Sequence, residues 1–186
     1  MRYASNHKQE TREKLLESSR AIVKKEGFAS TGVDALMAAV GLTGGAFYSH
    51  FGSKGELFAA LVEREMDNSA RMLAGTEDSP PDQVAKCLRG YLSTAHAAHP
   101  ESGCVLPTLG PEIARAEPPV RAAVERSLKK LHKSWKGRLG DDGDAAWALM
   151  AQCVGAVLMA RVVESERTRQ EILASTRRDI EKTRFG

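Results

Sequence analysis

Three hydrogen-bonding side chains in succession lie between two phenylalanines four residues apart. Phe47 and Phe51 share one side of a helix, so Tyr48, Ser49 and His50 between them point away from that side. A phenol, a hydroxyl and an imidazole are groups that hydrogen bond to phosphate oxygens and to base edges. The spacing predicts a helix anchored to a core by its phenylalanines, with a polar face turned toward a partner.

The residues that flank this face suit the same chemistry. Thr43 is placed to cap the helix and to offer a hydroxyl to a phosphate. Gly44 and Gly45 carry no side chains, so the backbone at the helix start can approach a partner closely. Lys54, at the start of the next helix, adds a point charge that can clamp a phosphate.

The elements that must position these residues form a helix-turn-helix pattern. An amphipathic helix is predicted over residues 8–26, and Gly27 ends it. Thr31 is then expected to cap a short helix whose apolar residues recur at i, i+3, i+4 and i+7, and Gly41 ends that helix. The apolar residues are Val33, Leu36, Met37 and Val40. Two short helices joined by a three-residue turn, behind a longer supporting helix, are typical of DNA-binding proteins.

Residues 10–58 closely resemble the DNA-binding region of TetR-family transcriptional regulators, around the recognition helix and the Phe-x-x-Lys that follows it. The resemblance implies phosphate contacts from Tyr48, His50 and Lys54, a helix-capping contact from Thr31, and close approach at Gly45. It assigns base readout to Gly44, Ala46 and Ser49. It further implies a homodimeric repressor that is released from a palindromic double-stranded DNA operator by a small-molecule effector.

Charge and composition agree with a DNA-binding head on a helical body. Residues 1–55 carry eight Lys/Arg and five Asp/Glu, whereas the remaining residues carry nineteen of each. The net charge of +3 therefore falls entirely in the first third, where a polyanion would bind. Abundant Ala, Leu, Glu, Lys and Arg predict an all-α fold of about nine helices. We expect a helix-turn-helix domain at 1–53 and an effector-binding and dimerisation domain at 54–186.

Helices are predicted beyond this head as well. A connector helix is expected at 54–73, a loop at 76–81 and a helix at 82–96. The nearly uncharged helix at 145–163 is followed by a charged helix at 166–182, and the apolar helix must be covered. The pair predicts a two-fold dimer interface built on Met150, Val154, Val157, Leu158, Leu173 and Ile180.

An effector pocket is predicted between the helices of residues 82–138. Apolar and semi-polar side chains are more numerous there than a scaffold needs, and glycines and prolines punctuate the middle helix. The pocket residues are expected to be Tyr91, Cys104, Leu106, Leu109, Ile113 and Trp135.

Cysteine and histidine usage favours an intracellular chain without cofactor or metal. Three widely spaced cysteines predict no disulfide framework and suit a reducing cytoplasm. Cys104 is interpreted as a small buried hydrophobe, with a redox or electrophile sensor as the alternative. His96 and His99 are three residues apart, but two ligands do not make a metal site.

Two other classes of protein remain as alternatives. An enzyme is disfavoured because the sequence has no nucleophile elbow, phosphate loop, HExxH or paired-carboxylate motif. A non-sequence-specific architectural DNA-binding protein would carry basic charge along its whole length, and residues 56–186 are neutral overall. The sequence favours a sequence-specific transcriptional regulator.

Overall fold

Nine α-helices and one short 3-10 helix make up the part of the chain that the computed structural model describes. That part is residues 2–74, 79–80 and 82–185, with side chains from residue 8 onward, and it contains no strand. The helices are α1 (Arg2–Glu26), α2 (Val33–Ala38), the 3-10 helix (Gly44–Ser49), α3 (Lys54–Ala74), α4 (Gln83–Tyr91), α5 (Thr94–Ala98), α6 (Leu106–Ala114), α7 (Pro118–Arg138), α8 (Gly143–Val162) and α9 (Glu166–Arg184). The predicted all-α fold is confirmed. Residues 76–78 and 81 of the predicted loop lie outside the described residues.

The turn between α1 and α2 differs from the prediction in its cap. Gly27, at a φ of +86°, ends α1 as expected. However, the N-cap of α2 is Gly32, and no side chain caps it. The hydroxyl of Thr31 turns back and donates to the carbonyl of Gly27 at 2.6 Å. The prediction that Thr31 caps α2 is therefore wrong, because the nearer carbonyl at the end of α1 takes its hydroxyl.

The element after α2 is a 3-10 helix, where the sequence predicted a longer helix running through Phe51. Gly44 and Gly45 are poor helix formers, and Gly52 follows closely, so few residues remain to sustain an α-helix. Thr43 occupies its N-cap position but makes no side-chain cap hydrogen bond. Phe47 and Phe51 nevertheless anchor the element, and both are fully buried.

The connector helix α3 begins at a capping arrangement. The Ser53 hydroxyl accepts from the amide of Glu56 at 3.1 Å, and the Glu56 carboxylate accepts from the amide of Gly52 at 2.8 Å. Beyond its start, α3 packs along α7. Trp135 of α7 donates its indole N–H to the carbonyl of Leu73 at 3.1 Å, which satisfies a fully buried donor.

Residues 82–96 form two helices rather than the one predicted. Between α4 and α5 the Ser93 hydroxyl accepts from the amide of His96 at 3.1 Å and starts a new helix. The pattern Ser-x-x-His is a weak cap signal in the sequence, but the side-chain bond is sufficient to break the helix.

The helices α8 and α9 close the fold. Asp142 and Ser165 cap them by accepting from the amides of Ala145 at 2.8 Å and Thr168 at 3.3 Å. By length and composition α8 could cross a membrane, yet 44% of its most apolar window is buried against the other helices. A core helix accounts for this composition.

Most of the predicted dimer-interface residues belong to the interior of one chain. Met150, Val157, Leu173 and Ile180 are at most 6% exposed and pack within the fold. Val154 is half-buried and Leu158 is exposed. The prediction selected the inward face of α8, because this helix is apolar on all sides and its sequence does not distinguish the two faces.

The buried side chains form two apolar clusters. The head-side core joins α1, α2 and the 3-10 helix to the first half of α3 and to parts of α6 and α7. The C-terminal core joins the second half of α3 to α4, α7, α8 and α9. The head-side core extends across residue 53, so the predicted domain boundary is not a break in packing.

Candidate functional site

The predicted recognition face is open to solvent. Tyr48 is 69% exposed, and its ring meets the buried Phe47 edge-on with centroids 5.4 Å apart. Ser49 is also exposed, with its hydroxyl donating to the carbonyl of Ala46 at 2.7 Å. Thr43 and Gly45 are exposed at the start of the 3-10 helix. The anchor residues hold one side of this helix, and its polar side remains available to a partner.

His50 and Lys54 are less free than the sequence predicted. His50 is half-buried, and its Nδ1 is buried without a hydrogen-bond partner. The ammonium of Lys54 donates to the carbonyls of Phe28 at 2.7 Å and Ala29 at 3.3 Å, and it lies 4.4 Å from the centre of the Phe28 ring. Lys54 therefore ties the turn after α1 to the connector helix, and one of its donors remains for a phosphate.

The carboxylate of Asp34 lies close to Gly44, a contact that the sequence did not predict. A Cβ built on Gly44 would lie 1.8 Å from Oδ1 of Asp34 on α2. Any side chain at this position therefore requires Asp34 to move. Gly45, by contrast, has open space where a side chain would project.

Thr31 is buried, with only 3% of its surface exposed. Its hydroxyl is engaged with Gly27, as described above, so it holds the turn together. A contact between Thr31 and DNA stays a prediction.

The C-terminal core contains an inner cavity, where about 30 Å³ is open to a water-sized sphere. Of the six predicted pocket residues, Tyr91, Cys104, Leu106 and Trp135 line this cavity. Leu109 and Ile113 do not, because they turn toward the head-side core. The prediction was wrong for these two residues because the glycines and prolines of α6 do not indicate which side of the helix faces the cavity.

A larger outer cavity of about 600 Å³ lies beside the inner one. The two cavities share four wall residues, which are Ser69, Leu73, Tyr91 and Cys104. The outer cavity is also lined by Arg20, a residue of α1. One helix of the head thus forms part of the wall of a cavity in the body.

A buried ion pair joins the head to this cavity wall. Lys24 of α1 has no exposed side-chain surface, and its ammonium lies 2.5 Å from Oε2 of Glu65 on α3. The same ammonium donates to the carbonyl of Gly103 at 2.9 Å. Glu65 and Gly103 both line the outer cavity. Three segments, namely α1, α3 and the loop before α6, therefore meet at one buried charge pair.

His96 continues this polar arrangement into the loop. Its Nε2 accepts from the amide of Cys104 at 2.9 Å, so its Nδ1 carries the proton and donates to the carbonyl of Tyr91 at 2.6 Å. Burial lowers the pKa of His96, in agreement with a neutral ring. Both ring nitrogens are occupied, which leaves neither for a metal. Among the described residues, no group of three or more His, Cys, Asp or Glu is placed to hold a metal ion.

Burial dominates the protonation of the other groups around the cavities. The pKa of the Tyr91 phenol is raised, first by burial and then by Cys104 nearby. Burial also raises the pKa of Cys153 to about 12. The phenol and this thiol are therefore neutral at physiological pH. Arg161 has its pKa lowered by burial, but it stays charged and donates to the carbonyls of His96 and Ala97.

A second polar junction links α6 to the head. The Glu112 carboxylate accepts from the amides of Phe28 at 3.1 Å and Ala29 at 2.8 Å. Lys54 binds the carbonyls of the same two residues. The turn after α1 is therefore held from both sides, by α6 through its amides and by α3 through its carbonyls.

Sequence reasoning missed Lys24, Glu65 and Glu112. Each has the residue type of an ordinary surface charge, and their partners are 41 to 84 residues away in the chain. For Lys24 the sequence offered one indication of burial, which is its position directly after the apolar Val23 near the end of α1.

The anchored 3-10 helix has an exposed polar face, and the helical body encloses a cavity. Together they define a helix-turn-helix protein with a cavity-bearing body that packs against the head. Residues 15–61 match the family model described as bacterial regulatory proteins, tetR family. This part of the chain is therefore similar to the DNA-binding region of TetR-family transcriptional regulators.

Relatives agree with this assignment over different shares of the chain. The HTH-type transcriptional repressor SCO4008 of Streptomyces coelicolor is 30% identical over 119 residues, which are 64% of this chain and 59% of that repressor. An uncharacterized HTH-type transcriptional regulator of Lactococcus lactis is 22% identical over 166 residues, 83% of this chain and 85% of the relative.

Solved structures share the fold. The reduced form of E. coli NemR superposes with a TM-score of 0.78 at 21% identity, over 93% of this chain and 97% of that one. A TetR transcriptional regulator from Chloroflexus aurantiacus superposes with a TM-score of 0.75 at 24% identity, over 95% and 97% of the two chains. At this identity the likeness concerns the fold alone.

Proposed function

We propose that the protein is a sequence-specific repressor that binds a palindromic DNA operator as a homodimer and is released by a small-molecule effector. The observation that carries the proposal is the exposed Tyr48–Ser49 face on a short helix whose other side is fixed by Phe47 and Phe51. Such a helix can enter the major groove with its polar side chains toward phosphates and base edges. A regulator of this kind works in the cytoplasm.

An exposed apolar stripe on α8 supports the dimer. Trp147, Leu158, Met159 and Val162 are 42–74% exposed, although the helix around them is part of a core. Exposed apolar surface at this density is typical of an interface between subunits. This stripe replaces the predicted interface, and only Leu158 is common to both. Two copies joined through α8 would present two heads to half-sites roughly 34–36 Å apart.

Two contacts between body and head support effector release. The Lys24–Glu65–Gly103 contact and the Glu112 contact both connect the cavity-bearing region to α1 or to the turn after it. An effector that prefers a different arrangement of these contacts would lower operator affinity by its differential binding, typically ~1–3 kcal/mol.

The operator function is tested by selecting bound sequences from random duplex DNA, followed by titration of the selected duplex. A palindromic consensus is expected. Retention of all sequences alike would instead identify an architectural DNA-binding protein. With roughly 6–10 phosphate contacts in the dimer, affinity should also fall steeply with salt.

Variants separate phosphate contacts from base readout. Tyr48→Phe keeps the ring against Phe47 and removes only the hydroxyl, so affinity should fall similarly for all duplexes. Ser49→Ala should change the selected sequence. Lys54→Ala is less informative, since it also removes the bonds to Phe28 and Ala29. A changed consensus with Tyr48→Phe would contradict the phosphate assignment.

Light scattering at micromolar concentration tests the dimer. The wild-type chain should have twice the mass of one chain, and Leu158→Glu should give monomers that retain their helical content. Leu158 is suited to this test because it is exposed, whereas a charge at the buried Val157 would unfold the chain.

A further inference from the structure

The inner and outer cavities are separated by a thin wall. Tyr91 and Cys104 line both of them, and Ser69 and Leu73 complete the shared surface. The hydroxyl of Tyr91 is buried and has no hydrogen-bond partner. An unpaired buried hydroxyl is costly, so the present position of the Tyr91 side chain is only weakly stabilised. A molecule in the outer cavity could therefore open the wall and occupy both spaces.

The two cavities differ in chemistry. Apolar groups dominate around the inner cavity, which lies against Trp135, Met150 and Cys153. The outer cavity has polar groups on its wall, including the charged residues Arg20, Glu65 and Lys86. A ligand that fills both would need an apolar body and a polar end.

The charge of the outer cavity is positive once the buried pair is counted. Glu65 is neutralised by Lys24, which lies behind it at 2.5 Å. Arg20 and Lys86 then remain. Lys86 is exposed and makes no ion pair with the described residues. Arg20 binds Glu17 at 3.2 Å, lies 3.8 Å from Glu65, and keeps a buried Nε without a partner. The neutral His96 adds no charge.

We propose that the two cavities together bind an amphipathic organic acid, with its anionic group on Arg20 and Lys86 and its apolar body directed past Tyr91 toward Trp135. This inference rests on the proposed effector function and names the ligand class. The anion is the group that complements a surplus of cations, and a guanidinium is a strong donor to it.

The site has a direct consequence for the DNA-binding head. Arg20 belongs to α1, four residues before Lys24, so the anion would contact the head itself. It would compete with Glu17 and Glu65 for the guanidinium and change the contact between α1 and α3. Binding of the acid and binding of the operator would then be coupled through α1.

The test uses two probes that share one aromatic skeleton. Anilinonaphthalene sulfonate carries a sulfonate, and N-phenylnaphthylamine is the corresponding neutral molecule. The chain has two tryptophans, so in Trp147→Phe the remaining donor is Trp135, and energy transfer from it reports a probe near the inner cavity. We expect the anionic probe to bind more tightly than the neutral one.

Charge variants identify the anion site. Arg20→Gln and Lys86→Gln should each weaken the anionic probe about tenfold, as expected for a charge-assisted hydrogen bond, and leave the neutral probe unchanged. Arg64→Gln is the matched control for Arg20, because Arg64 also pairs α3 with α1 at equal exposure but does not line the cavity. Lys129→Gln is the control for Lys86. Thermal melting checks that each variant is folded.

Three results would overturn the proposal. The two probes could bind equally tightly, the affinity for the anionic probe could be unchanged in both cavity variants, or the control variants could lose as much affinity as the cavity variants. These outcomes leave operator binding intact and so do not affect the proposed function. Conversely, if the anionic probe depends on Arg20 and Lys86 but the protein selects no DNA, the cavity assignment stands and the proposed function fails.

Discussion

The two apolar cores are built from different kinds of side chain. The head-side core is rich in phenylalanine, with Phe28 and Phe58 stacked at 4.1 Å and Phe47 and Phe51 at 5.8 Å between ring centroids. The C-terminal core instead surrounds Tyr91 and Trp135 with leucines, alanines, a methionine and two cysteines, and it encloses the inner cavity. Interlocked rings fix one geometry, whereas small and sulfur-containing groups allow rearrangement. The contrast fits the proposed roles, in which the helix-turn-helix head is rigid and the cavity-bearing region adapts to an effector.

The largest effect is expected from removing a ring of the head-side core. Phe47→Ala should lower the free energy of unfolding by about 3–5 kcal/mol, because it leaves a cavity among rings that have no room to collapse. Urea denaturation followed by circular dichroism measures this loss. Tyr48→Ala, at the exposed neighbour, should change stability by less than about 0.5 kcal/mol. Comparable losses at the two positions would refute the anchor role of Phe47.

The buried ion pair between the two regions should give the next largest effect. Lys24→Met leaves the Glu65 carboxylate buried with only Arg20 nearby, and we expect a loss of about 3 kcal/mol. In the double variant Lys24→Met/Glu65→Leu no charge is left unpaired, so most of that stability should return. Denaturation of the single and double variants shows whether the unpaired charge causes the loss of stability. An unchanged loss in the double variant would mean that packing, rather than charge, explains the effect.

Helix caps in the two regions should differ in how much they stabilise the protein, and this difference is smaller than the effects above. Asp142→Ala removes the hydrogen bond that begins α8 and should cost about 1 kcal/mol. Thr43→Ala at the 3-10 helix removes no cap bond, so its cost should stay below about 0.5 kcal/mol. Equal costs in thermal denaturation would indicate that Thr43 caps its helix in solution.

The smallest effect is expected in thiol labelling, which compares the reactivity of two cysteines without changing the chain. The pKa of Cys153 is raised to about 12 by burial, so at neutral pH it holds roughly a thousandfold less thiolate than an ordinary cysteine. Alkylation followed by mass spectrometry should modify the half-buried Cys87 first and Cys153 only on unfolding. Rapid modification of Cys153 would show that the C-terminal core opens more readily than its packing suggests.

The sequence was most informative where local chemistry determines structure. Gly27 adopts positive φ where α1 ends, as predicted, and Gly41 also adopts positive φ, although α2 already ends at Ala38. The spacing of Phe47 and Phe51 identified the anchored side of the 3-10 helix. These features need only near neighbours. The length of α3 was predicted for the same reason, since its periodic pattern is long and continuous.

Tertiary contacts explain where prediction failed. The sequence of α8 is apolar on every side, so the buried Val157 and the exposed Leu158 were not separable before the neighbours of α8 were known. Similarly, Lys24 has the type of a surface residue, and only a carboxylate 41 residues away makes its burial possible. Such pairs depend on which helices meet, which local periodicity does not encode.

The contact between Gly44 and Asp34 links the start of the 3-10 helix to α2. A side chain at residue 44, one of the predicted base-reading positions, would meet the carboxylate of Asp34 at 1.8 Å from its Cβ. The atom met is the end of an exposed side chain, so a substitution at 44 requires the Asp34 carboxylate to turn away. A side chain at 44 would thus relocate the negative charge of Asp34 beside the start of the 3-10 helix, which couples the two positions.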